Sequence, residues 1–494
     1  MLSLLLLQGL FSSLVHCSGQ PWVVGQAVGT TSGLAKGRKS PTYPEVSEYL
    51  GIRFGQDTSA QNRFMPPKPY SGTGTMNATS FHILHIPYFD QAQCDLSRAC
   101  PQVAPPGPPG AFPIPAVTSE DCLFINVWSK PQSGETRKAV VLYIFGGAFI
   151  GGDASASISN GAGLANNEDV IVVAPNYRVN VFGFPSAPGL TQKNPGLLDQ
   201  RLAVEWTKKN IAAFGGDPDR ITIYGGSAGG SSVDYYAYAW TKDPIVNGLI
   251  ASSGTAMMTG PFSLTRPGDS NDGWYKLSAS LGCGGAEAGE RTIACAQTKS
   301  MKEIQAAIPI PSGTGVSMIT GMFGPMVDNQ TIFSDYYERA KAGNFIQRPM
   351  LVGSNHNESL LFTTLGNITD PKAATSLENG FNCGAAEAAK ARSLLDVPVW
   401  RYHFANNPPN STLGALHGMD VMYVFGDGVE GVSKLLQSSW ATFVRDPKKG
   451  LSKIGWPKYD PKGNTLVRLA YNSVPVADFV PATMYDGTCP TSQI

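Results

Sequence analysis

RITIYGGSAGGSSVDYYAY, residues 220–238, decides how the rest of the chain is read. Ile221 to Tyr224 is a β-branched and aromatic run that predicts a buried strand, and the residues after the glycines predict a helix. Between them stands Gly225-Gly226-Ser227-Ala228-Gly229, a G-x-S-x-G turn in the strand–turn–helix context that this motif requires. The flanking glycines let strand and helix pack closely around a strained turn, which points the Ser227 hydroxyl outward. The Ala228 N–H, at the start of the helix, then faces the place where an oxyanion would develop. In a chain with 55 glycines the bare pentapeptide arises readily by chance, so its flanks carry the argument.

Working outward, β-branched runs alternate with helical stretches. They are KAVVLYIF (138–145), DVIVVAPNYRV (169–179), LLDQRLAVEWTKKNIAAF (197–214), RPMLVGSN (348–355) and VPVWRYHFA (397–405). Such alternation predicts an α/β fold with a large, mostly parallel central sheet and helices on both faces. The strand runs are nearly continuous in apolar residues, as expected of strands covered on both sides. Residues 101–115, PQVAPPGPPGAFPIP, predict a surface loop, because proline lacks the backbone donor and fixes φ.

Composition sets the boundaries of function. The 494 residues are 42% hydrophobic and 15% charged, which suits one large core with insertions. Lys+Arg and Asp+Glu each total 37, so no electrostatic footprint exists for nucleic acid or an anionic membrane. The apolar run in residues 1–19 is too short to span a bilayer and ends in small residues, so it reads as a secretory signal peptide, cleaved after Cys17 or Gly19. Residues 20–494 are then a single catalytic domain, exported, with no later stretch apolar enough for a membrane anchor. Sequons at Asn77, Asn329, Asn357, Asn367 and Asn410 fit that route. The remaining cysteines, 94, 100, 122, 283, 295, 383 and 489, have no zinc-like spacing and read as structural disulfides with one left over. Cys283 and Cys295 bracket a short Gly/Ala-rich segment that a local bridge would close.

In open α/β sheets, chemistry collects at the carboxyl ends of the strands. VVLYIFGGAFIGGD (140–153) is a strand ending in a Gly-rich loop, whose Gly147 and Ala148 N–H groups are candidate oxyanion donors. A phosphate-cradling loop is the rival, but no Gly-Lys-Ser/Thr follows. A serine needs a base, and of six histidines His417 alone stands in a Gly-flanked loop after a core strand. The acid must follow a strand between Ser227 and His417, which leaves Glu358, the better fit, and Asp328.

At this point the residues resemble the type-B carboxylesterases, the cholinesterase-like branch of the α/β hydrolases. The matching segments are SEDCLFINVW (119–128), the loop at Gly146, LLDQRLAVEW, NIAAFGGDPDRITIYGGSAGG (210–230), GSNHNE (353–358) and GALHGMDVMYVFG (414–426), in family order. The resemblance implies an α/β-hydrolase fold, Ser227 as nucleophile, Glu358 as acid, His417 as base, and Gly147, Ala148 and Ala228 as oxyanion donors. It also implies Cys100–Cys122 and Cys283–Cys295 bridges, a small-molecule ester as substrate, and no metal or organic cofactor.

The chain departs from the family in ways that bear on substrate. Gly226 stands where the family usually has Glu, and the Cys100–Cys122 loop holds no tryptophan for a choline cation. That loop is proline-rich, unlike the helical lid of the family's lipases. Phe145 replaces the usual His or Tyr, and Ala148 replaces a third glycine. The expectation is a secreted serine esterase for neutral esters. A tailoring esterase, lactone hydrolase or acyltransferase is the alternative, and a non-catalytic binding protein on the same fold is a further one.

Overall fold

The computed structural model describes residues 22–494 apart from 81–97, 104–114, 116, 131–136, 260–270, 312–314, 316, 318–320, 408–410, 427–429, 488, 491 and 493. The leader, Cys94, Asn410 and most of the proline-rich loop lie outside the described residues. In chain order the strands are β1 (Val28–Thr30), β2 (Gly33–Lys36), β3 (Arg38–Lys39), β4 (Ser47–Arg53), β5 (Thr75–Asn77), β6 (Phe124–Ser129), β7 (Lys138–Ile144) and β8 (Ile171–Pro175). They continue with β9 (Gly216–Gly226), β10 (Gly248–Ser252), β11 (Met350–Asn355), β12 (Val399–Phe404), β13 (Leu466–Leu469) and β14 (Ala477–Val480).

β1, β2 and β5 pair apart; the others form one 11-stranded sheet in the order β14-β13-β12-β11-β10-β9-β7-β8-β6-β4-β3. From β8 to β13 every junction is parallel. The edges close with antiparallel strands: β14 on one side, and β6, β4 and β3 on the other. Every residue of β7, β8, β10, β11 and β12 is buried, which is why these segments read as unbroken apolar runs.

Two boundaries differ from the sequence expectation. The 169–179 run is strand only to Pro175. Beyond it the Asn176 N–H still donates to the Phe124 carbonyl of β6 at 2.8 Å, while its side chain turns to accept from the Ala154 N–H at 2.9 Å. β4 and β6 extend the sheet beyond the parallel part, and the helix–strand alternation did not signal them because no crossover helix separates such antiparallel neighbours.

Parallel strands bring their carboxyl ends to one edge, so the turns after β7, β9, β10, β11 and β12 converge there. Two buried groups brace that edge from behind. Asp234, on the helix Ala228–Ala239, pairs at 2.7 Å with Arg392 of the helix Pro371–Ser393, both side chains fully buried. Disulfides join Cys100 to Cys122, Cys283 to Cys295, and Cys383 to Cys489. The last pairing had no signal in the sequence, its partners being 106 residues apart.

Candidate active site

Ser227 stands between the end of β9 and the start of the helix Ala228–Ala239, at φ +58° and ψ −123°. A non-glycine residue there stores on the order of 1–3 kcal/mol of strain, which the surroundings must hold. They do so by close approach. A Cβ on Gly225 would sit 2.1 Å from the Gly229 carbonyl oxygen, and one on Gly229 would sit 2.0 Å from that of Ile144. No other residue type fits at either position. The Ser227 N–H donates to the Ser252 carbonyl at 2.8 Å, which fixes the turn to β10.

Glu358 follows β11 and is fully buried. Its Oε1 accepts from the Ser253 hydroxyl at 2.5 Å and from the Asn355 N–H at 2.6 Å, and its Oε2 faces His417 Nδ1 at 2.5 Å. The imidazole is held edge and face by Phe362 and Phe381, with ring centroids 4.7 and 4.9 Å away. His417 Nε2 is buried and makes no hydrogen bond among the described residues. Ser227 and His417 line the same cavity of about 230 Å³, with Gly146, Gly147, Ala148 and Phe362. The serine hydroxyl and Nε2 are not in hydrogen-bond contact; a bond of this kind commonly closes only around substrate.

Asp328, the other acid considered, is engaged elsewhere. Its carboxylate accepts the Gln330, Thr331 and Ile332 N–H groups and the Asn194 amide, closing a turn. His403, inside β12, is buried beneath Tyr485, with ring centroids 3.7 Å apart. Burial first, and then His356, depress its basicity well below the ordinary histidine range.

The loop after β7 turns through three successive left-handed residues, Gly147 (φ +114°), Ala148 (φ +54°) and Phe149 (φ +62°). The Ile150 and Gly151 N–H groups close it by donating to the Gly147 carbonyl at 3.0 and 3.2 Å. A residue that sequence reasoning passed over holds the loop from outside. The buried Gln102 amide pairs with the Gly152 backbone, accepting from its N–H at 2.9 Å and donating to its carbonyl at 3.1 Å. The same amide nitrogen donates to the Cys100 carbonyl at 3.1 Å, so the loop after β7 is braced against the Cys100–Cys122 bridge.

Residues 23–380 match the carboxylesterase family. The chain belongs to that family. It is 35% identical to a chlorogenic acid esterase of Aspergillus niger, across 86% of this chain and 84% of that protein. It is 31% identical to Secreted lipase 5 of Gibberella zeae, across 90% of each. It is 32% identical to the Mus musculus cholinesterase, across 68% of this chain and 54% of that protein. The family match includes Ser227 and Glu358 and stops short of His417, so the place of the imidazole rests on the geometry above.

Three of the chain's departures from the family pattern, Phe145, Ala148 and Gly226, line the cavity. At Gly226 a Cβ would press on Val421 Cγ2 at 2.7 Å, so Val421 stands where a longer side chain would begin. The expectation of no carboxylate beside the site holds at position 226 and fails at Asp153, a buried residue that also lines the cavity. One of its oxygens is occupied by the Ser155 N–H at 2.7 Å and by the Ser155 hydroxyl. The Ser155 contacts are those of a turn. The rest of the lining is mostly apolar or backbone, including Phe145, Ile158, Leu361 and Val421.

Proposed function

We propose that this carboxylesterase is an exported serine hydrolase of neutral carboxylic esters. The observation that carries the reading is the state of His417: Nδ1 is held by Glu358 at 2.5 Å, and Nε2 is left without a partner at the cavity that Ser227 lines. Glu358 accepts a hydrogen bond from Nδ1–H, which keeps the proton on Nδ1 and leaves Nε2 as the basic nitrogen. His417 then takes the Ser227 proton, and the alkoxide adds to the ester carbonyl. The N–H groups of Gly147, Ala148 and Ala228 stabilise the oxyanion, and His417 returns the proton to the departing alcohol. Water repeats the sequence on the acyl-enzyme. No metal or organic cofactor enters these steps.

The mostly apolar cavity, with its one buried carboxylate already bonded to Ser155, supports an uncharged substrate. Export is supported by the disulfides, which persist in oxidising compartments, and by the likeness to a secreted lipase. Asn77, Asn329 and Asn367 are exposed and are the glycan sites of this reading, with Asn410 outside the described residues. Asn357 is half-buried and its amide donates to the Leu413 carbonyl at 2.8 Å, so it stays bare. The test is Ser227→Ala assayed on a simple aryl ester, which should lower kcat by about 10⁶ with the fold intact. A variant retaining a tenth of wild-type activity would remove Ser227 from the mechanism.

A further inference from the structure

The proposed reaction gives no task to Tyr143, the last tyrosine of the run that forms β7. Its ring is only 2% exposed, packed against Phe425 at 4.7 Å and Tyr224 at 5.1 Å between centroids. On that evidence it is a core residue. Its hydroxyl says otherwise. Tyr177, Tyr402 and Tyr49 place theirs on the Phe145 carbonyl at 2.9 Å, Asp420 at 2.6 Å and the Gln26 carbonyl at 2.8 Å, whereas those of Tyr224 and Tyr238 are enclosed and unpaired. The Tyr143 hydroxyl makes no hydrogen bond among the described residues, yet Tyr143 lines the cavity beside Ser227. Unlike the enclosed Tyr224 hydroxyl, a hydroxyl on a cavity wall can be satisfied by whatever enters the cavity.

Gly226 stands close by. A Cβ at Gly226 would lie 3.8 Å from the Tyr143 hydroxyl oxygen, so any longer side chain would occupy the space in front of it. With glycine there, Val421 Cγ2 packs 2.7 Å from where that Cβ would sit, and Tyr143, Gly226 and Val421 together line the cavity. The nearby carboxylate, Asp420, is engaged by Tyr402 and by the Asn355 amide at 3.1 Å. Burial holds the Tyr143 hydroxyl protonated far above neutral pH. The group is therefore a fixed donor without an internal acceptor.

We propose that Tyr143 is a specificity-determining residue whose hydroxyl donates to a hydroxyl oxygen carried by the substrate near its ester carbon. The proposal rests on the esterase reading above and adds to it a substrate class, neutral esters bearing a hydroxyl close to the reacting carbonyl. Which side of the ester enters the gap is decided by experiment.

The test uses two matched pairs: methyl phenylacetate against methyl 2-hydroxy-2-phenylacetate, and phenethyl acetate against 2-hydroxy-2-phenylethyl acetate. In wild type, one pair should show the hydroxylated member favoured about tenfold in kcat/KM, the effect of one well-placed hydrogen bond. Tyr143→Phe should erase that preference, chiefly through KM, while the unhydroxylated members keep their rates within about twofold. Absence of any preference in both pairs, or its survival in Tyr143→Phe, overturns the proposal. Labelling by a fluorophosphonate separates the two layers: loss of labelling in Ser227→Ala alone, with label retained in Tyr143→Phe, leaves the esterase reading standing whichever way the substrate pairs fall.

Discussion

The Asn357 N–H donates to the Ala415 carbonyl at 2.9 Å, next to Glu358 on one loop and two residues before His417 on the other. Asn357 and Leu416 are also paired as a parallel bridge. Glu358 and the His417 imidazole therefore share a backbone connection besides the one between their side chains. Because Asn355 and Ser253 also bond the carboxylate, Glu358 has a fixed orientation before His417 arrives.

Glu358→Gln keeps the volume and removes the charge that orients the imidazole. It should reduce kcat by about 10²–10⁴, by analogy with acid-to-amide changes in such triads. Asp328→Asn, assayed at matched folded yield, should leave kcat within a few-fold and instead lower the melting temperature by loosening the 328–332 turn. The opposite ranking of the two variants would transfer the acid's role.

Gln102→Ala should act on the transition state rather than on binding. It removes both bonds to Gly152 while leaving the cavity lining unchanged, so kcat should fall at least about tenfold with KM within about twofold. A stability loss of about 1–3 kcal/mol should accompany it, from the Gly152 backbone groups left unpaired. An unchanged kcat would show that the loop holds its shape without the brace.

A choline ester and its isostere with carbon in place of nitrogen should be turned over with similar kcat/KM at low ionic strength, or with the neutral one favoured. The missing carboxylate at Gly226 and the engaged oxygen of Asp153 both argue for this. A hundredfold preference for the cation, about 2.7 kcal/mol, would mean that Asp153 acts as an anionic subsite. Asp153→Asn would then abolish it.

Glu378 gives a pH signature. It receives the Ser359 N–H at 2.9 Å and the Asn382 amide at 3.3 Å. Burial first, and then the charge of Glu358, push its carboxyl up to about 7. Its folded-state affinity for the proton exceeds the unfolded one, so the stability it contributes is present at acid pH and is lost as pH rises from about 4.5 to 7. Melting temperatures measured from pH 5 to 8 should therefore fall less steeply in Glu378→Gln than in wild type. Parallel slopes would show that the group titrates normally.

The legible parts of this molecule were those where backbone sterics or burial restrict residue choice. Gly225 and Gly229 announce the turn around Ser227 because nothing larger fits, and the apolar runs announce strands covered on both faces. What stayed hidden were groups acting across long sequence separations through ordinary residue types. Gln102 is one amide among many until it meets Gly152, and Phe362 and Phe381 read as core until His417 lies between them. Tyr143 was concealed by its own strand, where an apolar run is the expected content.

The Cys383–Cys489 bond turns the last fifth of the chain into a covalent ring that contains β12, His417, β13 and β14. A single peptide bond cut within that ring divides the polypeptide without releasing a fragment. A clipped molecule would run as the intact chain on a non-reducing gel and as two pieces once reduced. The proposed base thus stays tethered to the body that holds Ser227 and Glu358, so damage by a neighbouring protease need not end the working life of the molecule.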